Sequence, residues 1–264
     1  MIIYKTEQEI EMMRLSNRIV SAVLDELRTL VKPGIRTKDL DDYAEARVRE
    51  MGGVPAFKGY RGFPASLCTS VNEEIVHGIP SSRVLREGDI ISLDFGVLYE
   101  GFYGDATVTC PVGAVSSRAL ELIAAAEAAF YKGIAELKEG NRISDVSHAI
   151  QTYVESRGFS VIRTFVGHGI GHALHEEPQV PNFGLPGRGA RIRAGMTLAI
   201  EPMIALGDWR EEVLDNGWTA VTRDRSLAAH FEHTVAVTSR GIDILSLREG
   251  ESRAARTARE EQHA

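Results

Sequence analysis

The chain repeats itself, and that repetition constrains its fold more than any local propensity does. Lys32-Pro33-Gly34-Ile35-Arg36-Thr37-Lys38-Asp39-Leu40 matches Lys138-Glu139-Gly140-Asn141-Arg142-Ile143-Ser144-Asp145-Val146 at Lys, Gly, Arg and Asp, offset by 106 positions. Each match runs into apolar residues at helical spacing, Asp39 to Met51 and Asp145 to Arg157. The aspartate is the expected N-cap and Gly52 or Gly158 the stop. Further on, Arg86-Glu87-Gly88-Asp89-Ile90-Ile91-Ser92-Leu93-Asp94 parallels Arg193-Ala194-Gly195-Met196-Thr197-Leu198-Ala199-Ile200-Glu201, offset by 107. Both read as strands ending in a carboxylate, and in each half a second strand returns with another acid, Asp105 or Glu232. The second return is longer and carries Asp215-Asn216-Gly217, a tight-turn signal that predicts an extra hairpin.

Each half also opens on a long helical pattern, roughly Glu7 to Leu30 and Ser117 to Leu137. The expected architecture is α+β: helices on one side of a strongly curved antiparallel sheet, with internal pseudo-twofold duplication. No Pro/Gly/Ser-rich linker separates the halves, about 7–115 and 116–248, so 1–248 is expected to be a single domain. The segment 249–264 is charged, poor in large apolar residues, and expected to fray. A length of 264 residues with 44% hydrophobic content suffices for a sizeable core. A net charge of -7 with mixed signs gives no basic nucleic-acid footprint. Cys68 and Cys110 form no disulfide framework, and no stretch reads as a signal peptide or membrane span, so a cytoplasmic protein is expected.

Asp94, Asp105, Glu201 and Glu232 each sit among apolar strand residues, where an unpaired carboxylate is costly. Any one alone is most simply a buried acid paired with Arg or backbone N–H groups. If the halves superpose, however, the four converge, and four clustered negative charges are tolerable only around cations. A fifth candidate lies in Gly167-His168-Gly169-Ile170-Gly171-His172-Ala173-Leu174-His175-Glu176-Glu177-Pro178. Three glycines in five residues would cost a helix about 3 kcal/mol, so a helical zinc site is disfavoured. A glycine-rich strand is expected instead, with His168 and His172 on one face. One imidazole among four carboxylates is a hard, oxygen-rich set that suits Mn, Fe, Co or Zn.

Val76-His77-Gly78-Ile79-Pro80, Leu93-Asp94-Phe95-Gly96, Gly104-Asp105, Gly167-His168-Gly169-Ile170-Gly171, His175-Glu176-Glu177-Pro178, Ile200-Glu201-Pro202-Met203 and Phe231-Glu232-His233-Thr234 occur in one order. In order and spacing they resemble the type I methionine aminopeptidases of the pita-bread superfamily, in the short bacterial-style form. The likeness spans about residues 5 to 248. The resemblance implies a pita-bread fold and two divalent metal ions, of Co, Mn, Fe or Zn, held by Asp94, Asp105, His168, Glu201 and Glu232. It further implies that Glu201 accepts the proton of the attacking water, that His175 stabilises the oxyanion, and that His77 binds the substrate backbone. Phe57, Tyr60, Phe63, Cys68, Leu174 and Trp218 would form the methionine pocket, although from sequence alone Tyr60 and Phe63 read equally as loop anchors and Cys68 as an inert buried thiol. The implied partners are N-termini of nascent polypeptides, met by a monomer with possible contact to the ribosome. His148, His172, His230 and His263 are expected to be structural or surface residues, and Phe57, Gly96 and His230 depart from the family pattern. X-Pro aminopeptidases and prolidases share the ligands but usually carry a further N-terminal domain, whereas about 76 residues precede His77 here. A non-catalytic binding module has no physical need to keep four buried acids.

Overall fold

The computed structural model describes residues 1–248 and Glu251, so the expected tail falls outside the described residues except at Glu251. Helix α1 (Glu7–Leu30) opens with a capping box: Thr6 Oγ1 accepts from the Glu9 amide at 3.2 Å, and Glu9 Oε2 accepts from the Thr6 amide at 2.7 Å. Helices α2 (Thr37–Glu50) and α4 (Ile143–Ser156) begin three residues earlier than the sequence predicts. Their N-caps are Arg36 and Arg142, not the aspartates. Asp39 and Asp145 stand at the third helical position and accept the cap residue's amide, at 3.2 and 2.7 Å. The cap residues are fixed from outside the helix, by the isolated bridges Arg36 to Val84 and Arg142 to Arg191. The C-terminal stops are as expected. Gly52 and Gly158 take φ of 79° and 74°, and the following amides reach back to Val48 and Val154. Helix α3 (Ser117–Ile134) stops short of Leu137, because its end tightens into turns in which Glu136 and Leu137 donate three residues back.

In the first half the strands are β1 (Val54–Pro55), β2 (Cys68–Val71), β3 (Glu74–Val76), β4 (Ile90–Tyr99) and β5 (Phe102–Pro111). In the second they are β6 (Ser160–Val161), β7 (Gly167–Gly169), β8 (Glu176–Val180), β9 (Thr197–Ile200), β10 (Met203–Ala205), β11 (Glu211–Val213), β12 (Ala220–Thr222), β13 (Ala228–His230), β14 (Glu232–Thr238) and β15 (Gly241–Ile244). The main sheet runs β1-β4-β5-β14-β9-β7-β8, with β2 on β4 and β15 on β14, and every pairing is antiparallel. The two halves meet where β5 pairs β14, at Thr107 with Glu232 and Ala106 with His233.

Strand alternation explains which side of the sheet carries chemistry. On β4, Leu93, Phe95 and Val97 pack with Val20, Leu24 and Leu40 of α1 and α2. On β14, Val235 and Val237 pack with Phe130 and Ile150 of α3 and α4. The intervening residues, Asp94 and Gly96 on β4, Asp105 and Thr107 on β5, and Glu232 on β14, therefore face the opposite side, away from the helices. The predicted hairpin joins β11 to β12: Leu214 donates to Thr219 O at 2.9 Å, and Asn216 Oδ1 accepts from Trp218 and Thr219. This hairpin pairs with β3 and delivers Trp218 to His77.

Candidate metal centre and pocket

The acids are brought together by register. Asp94 lies opposite Thr107, Thr107 opposite Glu232, and Asp105 is two residues along the same face of β5. Glu201 follows β9 directly, and His168 on β7 pairs with Ala199 of β9. Ligand atoms of Asp105, His168 and Glu232 lie within 4.8 Å of one another, and Glu201 Oε1 stands 3.5 Å from His168 Nε2. All five residues are buried.

Among the described residues, no lysine or arginine pairs with any of the four carboxylates; Glu201 instead lies near two imidazoles, those of His168 and His230. Asp94 Oδ1 and Asp105 Oδ1 are buried without a hydrogen-bond partner. Burial pushes Asp94 up to about 7, against the Thr107 and Cys68 hydrogen bonds that favour its ionised form. Burial, then repulsion from Glu232, Asp94 and Glu201, holds Asp105 well above the carboxylate range. Glu201 is raised by burial and then by Glu232 and Asp94, and Glu232 by burial and then by Asp94. Burial lowers His168 to about 3, so its ring is neutral. Its Nδ1 sits 2.9 Å from Gly169 O, which can only accept, so the proton belongs on Nδ1 and Nε2 offers a lone pair toward the acids. Orphaned oxygens, mutual repulsion and an oriented neutral imidazole are what a cation-binding donor set requires, and the residues present fit one.

Against this cluster opens a cavity of about 140 Å³. Every residue to which the family resemblance gave a metal, substrate or catalytic role lines it: Phe57, Tyr60, Phe63, Cys68, His77, Asp94, Asp105, His168, Leu174, His175, Glu201, Trp218 and Glu232. Tyr60 stacks on His175 at 5.2 Å, Phe63 meets Trp218 edge-on at 5.1 Å, and His168 and His175 lie 4.2 Å apart. Burial, then His175, lowers His77 to about 4; burial, then Arg61, does the same to His175. Both rings are therefore neutral near pH 7, with one N–H each to donate. Burial and the neighbouring acids push the Cys68 thiol up, so it stays a protonated, apolar wall. His77 adopts φ of 59°, in the left-handed region that few non-glycine residues visit. The next residue explains how it is held: a Cβ on Gly78 would lie 2.2 Å from Thr69 O, so only glycine lets β2 and the His77 turn approach.

Three neighbours escape sequence reasoning. Arg61 lines the cavity, with its guanidinium 5.4 Å from the Tyr60 ring centroid. Thr107 donates to Glu232 Oε2 at 2.7 Å, and its place two residues beyond Asp105 on the same face was the available signal. His230 is buried with its Nε2 3.7 Å from Glu201 Oε2. His172 does not share a face with His168, because β7 ends at Gly169 and the chain turns away at Gly171, where a Cβ would strike Lys5. It is a surface residue instead, 3.2 Å from Glu9 and 4.4 Å from the Phe102 ring. His148 is also at the surface, against Gly184 O, and His263 lies outside the described residues.

A family model described as metallopeptidase family M24 matches residues 11–239. Methionine aminopeptidase 1 of Bacillus subtilis is 52% identical over 246 residues, covering 93% of this chain and 99% of its own. The methionine aminopeptidase of Clostridium acetobutylicum is 51% identical, with coverage of 94% and 99%. Among solved structures, methionine aminopeptidase from Thermotoga maritima matches with a TM-score of 0.92 at 49% identity, over 94% of this chain and 100% of that one. Prolidase from Pyrococcus furiosus, at 21% identity and a TM-score of 0.77 over 94% and 66%, shares the fold.

Proposed function

The chain belongs to metallopeptidase family M24, within it to the methionine aminopeptidases, and from that premise we propose how its residues divide the work. The carrying observation is a buried acid cluster opening directly onto an aromatic, thiol-lined cavity, with two neutral imidazoles beside them. Asp94, Asp105, His168, Glu201 and Glu232 hold two divalent cations, of Mn, Fe, Co or Zn. When bound, such ions polarise a peptide carbonyl and acidify water. Glu201 accepts the proton of the attacking water. His175 donates its N–H to the developing oxyanion, and His77 donates to the substrate backbone beside the scissile amide. Phe57, Tyr60, Phe63, Cys68, Leu174 and Trp218 receive the methionine side chain, for which aromatic faces around a thioether are well suited. The residues 1–248 act as one catalytic domain, as a monomer in the cytoplasm, on N-termini of nascent polypeptides as they leave the ribosome.

Because His77 and His175 both converge on the scissile peptide, little room remains beside the next Cα. A branched residue there is expected to cost about 1 to 3 kcal/mol, or roughly 5- to 150-fold in kcat/KM. Hydrolysis of Met-Ala-Ser, Met-Ile-Ser and Ala-Pro-Ala by protein stripped with chelator and reloaded with Mn, Fe or Co tests the reading. The expected result is no turnover when stripped, recovery on reloading, and preference for Met-Ala-Ser. Equal rates on the first two peptides remove the crowding argument, preference for Ala-Pro-Ala replaces the substrate class, and full activity in metal-free protein removes the mechanism.

A further inference from the structure

The Glu201 carboxylate lies between two imidazoles. Its Oε1 is 3.5 Å from His168 Nε2 and its Oε2 is 3.7 Å from His230 Nε2. His168 belongs to the trio whose ligand atoms gather within 4.8 Å; His230 does not. Yet His230 is only 1% exposed, and neither of its ring nitrogens has a hydrogen-bond partner. A buried imidazole with both nitrogens idle is unusual, since nearly all buried polar groups are satisfied. The main chain cannot relieve it. Thr109 Oγ1 accepts from the His230 amide at 3.0 Å and donates to its carbonyl at 2.8 Å, while β13 is held in register by Met203 of β10. The ring is thus aimed at Glu201 by a backbone pinned on both sides, a few tenths of an ångström beyond direct hydrogen-bond distance.

We propose that His230 is a positioning residue for Glu201: its Nε2–H donates to Oε2 and fixes the plane in which the carboxylate is presented to water and metal. The inference rests on the reading of Glu201 as ligand and proton acceptor. An unrestrained carboxylate can rotate about its terminal torsion, whereas one held by an outer donor keeps a single orientation, and removal of such donors typically costs 10- to 100-fold in metal affinity or activity.

The test uses the full chain loaded with cobalt. His230→Leu removes the donor, His230→Gln retains an N–H of similar reach, and His230→Met serves as the donor-free variant if leucine does not fold. The readouts are cobalt affinity by calorimetry, the visible absorption spectrum of the bound cobalt, and kcat and KM on Met-Ala-Ser. The donor-free variant should show an altered cobalt spectrum and a 10- to 100-fold loss in cobalt affinity or kcat, with KM within about twofold. Glutamine should restore the spectrum and most of the loss. An unchanged spectrum, affinity and kcat in the donor-free variant overturns the proposal, as does a glutamine variant no better than leucine. Glu201→Gln is assayed in parallel: wild-type kcat there overturns the parent reading, whereas a dead Glu201→Gln beside an unaffected His230→Leu overturns the positioning role alone.

Discussion

Gly96 and Phe57 share one volume. Gly96 lies opposite Asp105 on the side of the sheet that faces the cavity, and a Cβ there would stand 2.6 Å from Phe57 Cε1 and 3.0 Å from Ala56 Cβ. The ring, arriving from the loop after β1, fills the place that residue 96 leaves empty. Gly96→Ala should push the ring into the cavity and lower kcat/KM on methionyl peptides by roughly 5- to 150-fold. Adding Phe57→Leu should recover much of it, and simple additivity in the double variant would show that the two do not compete for space. His175→Ala should lower kcat about 100- to 1000-fold with metal content kept, and near-normal kcat in metal-replete protein would take the residue out of the mechanism. The four acids were legible because the duplication places carboxylates at equivalent strand positions, and four converging charges demand cations where one alone would need only an arginine or backbone N–H groups. His230 was not, since a histidine in Ala228-Ala229-His230 reads as ordinary core until the register of β13 on β10 aims it at Glu201.

At the scale of elements, the segment before α1 is threaded into the second half. Lys5 donates to Glu176 Oε2 at 2.6 Å with side chains 0% and 5% exposed, and the Lys5 amide donates to Gly195 O at 2.7 Å. Glu176 Oε1 in turn accepts from the Ala173 amide at 3.1 Å, so the pair braces the loop that carries Leu174 and His175. Lys5→Met would leave a buried carboxylate without its cation, a loss of about 3 to 5 kcal/mol, which should lower the melting temperature by on the order of 10 °C. A calorimetric midpoint within about 2 °C of wild type would mean that Glu176 finds another partner. Helix ends were readable where local chemistry decides them, as at Thr6-x-x-Glu9, Gly52 and Gly158. The starts of α2 and α4 were not, because bridges to Val84 and Arg191 choose the cap residue, and those partners are about 50 positions away.

For the molecule as a whole, the duplicated pattern was enough to anticipate an α+β fold with helices on one side of an antiparallel sheet. It could not reveal the seam, which depends on β5 meeting β14 across residues 106–107 and 232–233. The site is built on that seam, and its titration follows. Folding without metal raises the carboxylates, Asp94 to about 7, so their contribution to stability is present below the unfolded values, 3.8 for the aspartates and 4.5 for the glutamates, and is lost as pH rises through the folded ones. The histidines act in the other direction. His77 and His175, lowered to about 4, give stability that is present above 6.5 and is lost as pH falls toward 4. Metal displaces protons only from its ligands, so the gap in melting temperature between loaded and chelator-treated protein should widen from pH 5 to pH 8. A constant or shrinking gap would contradict protonated carboxylates in the metal-free fold. The same seam has a meaning for synthesis. The proposed ligands run from Asp94 to Glu232, and the brace behind His175 joins residues 171 positions apart. A growing chain that has not yet passed Glu232 therefore lacks one member of the proposed ligand set. Activity is expected to arrive in one step once β14 is made, and products of interrupted synthesis that end before β14 are expected to be inert rather than partly active.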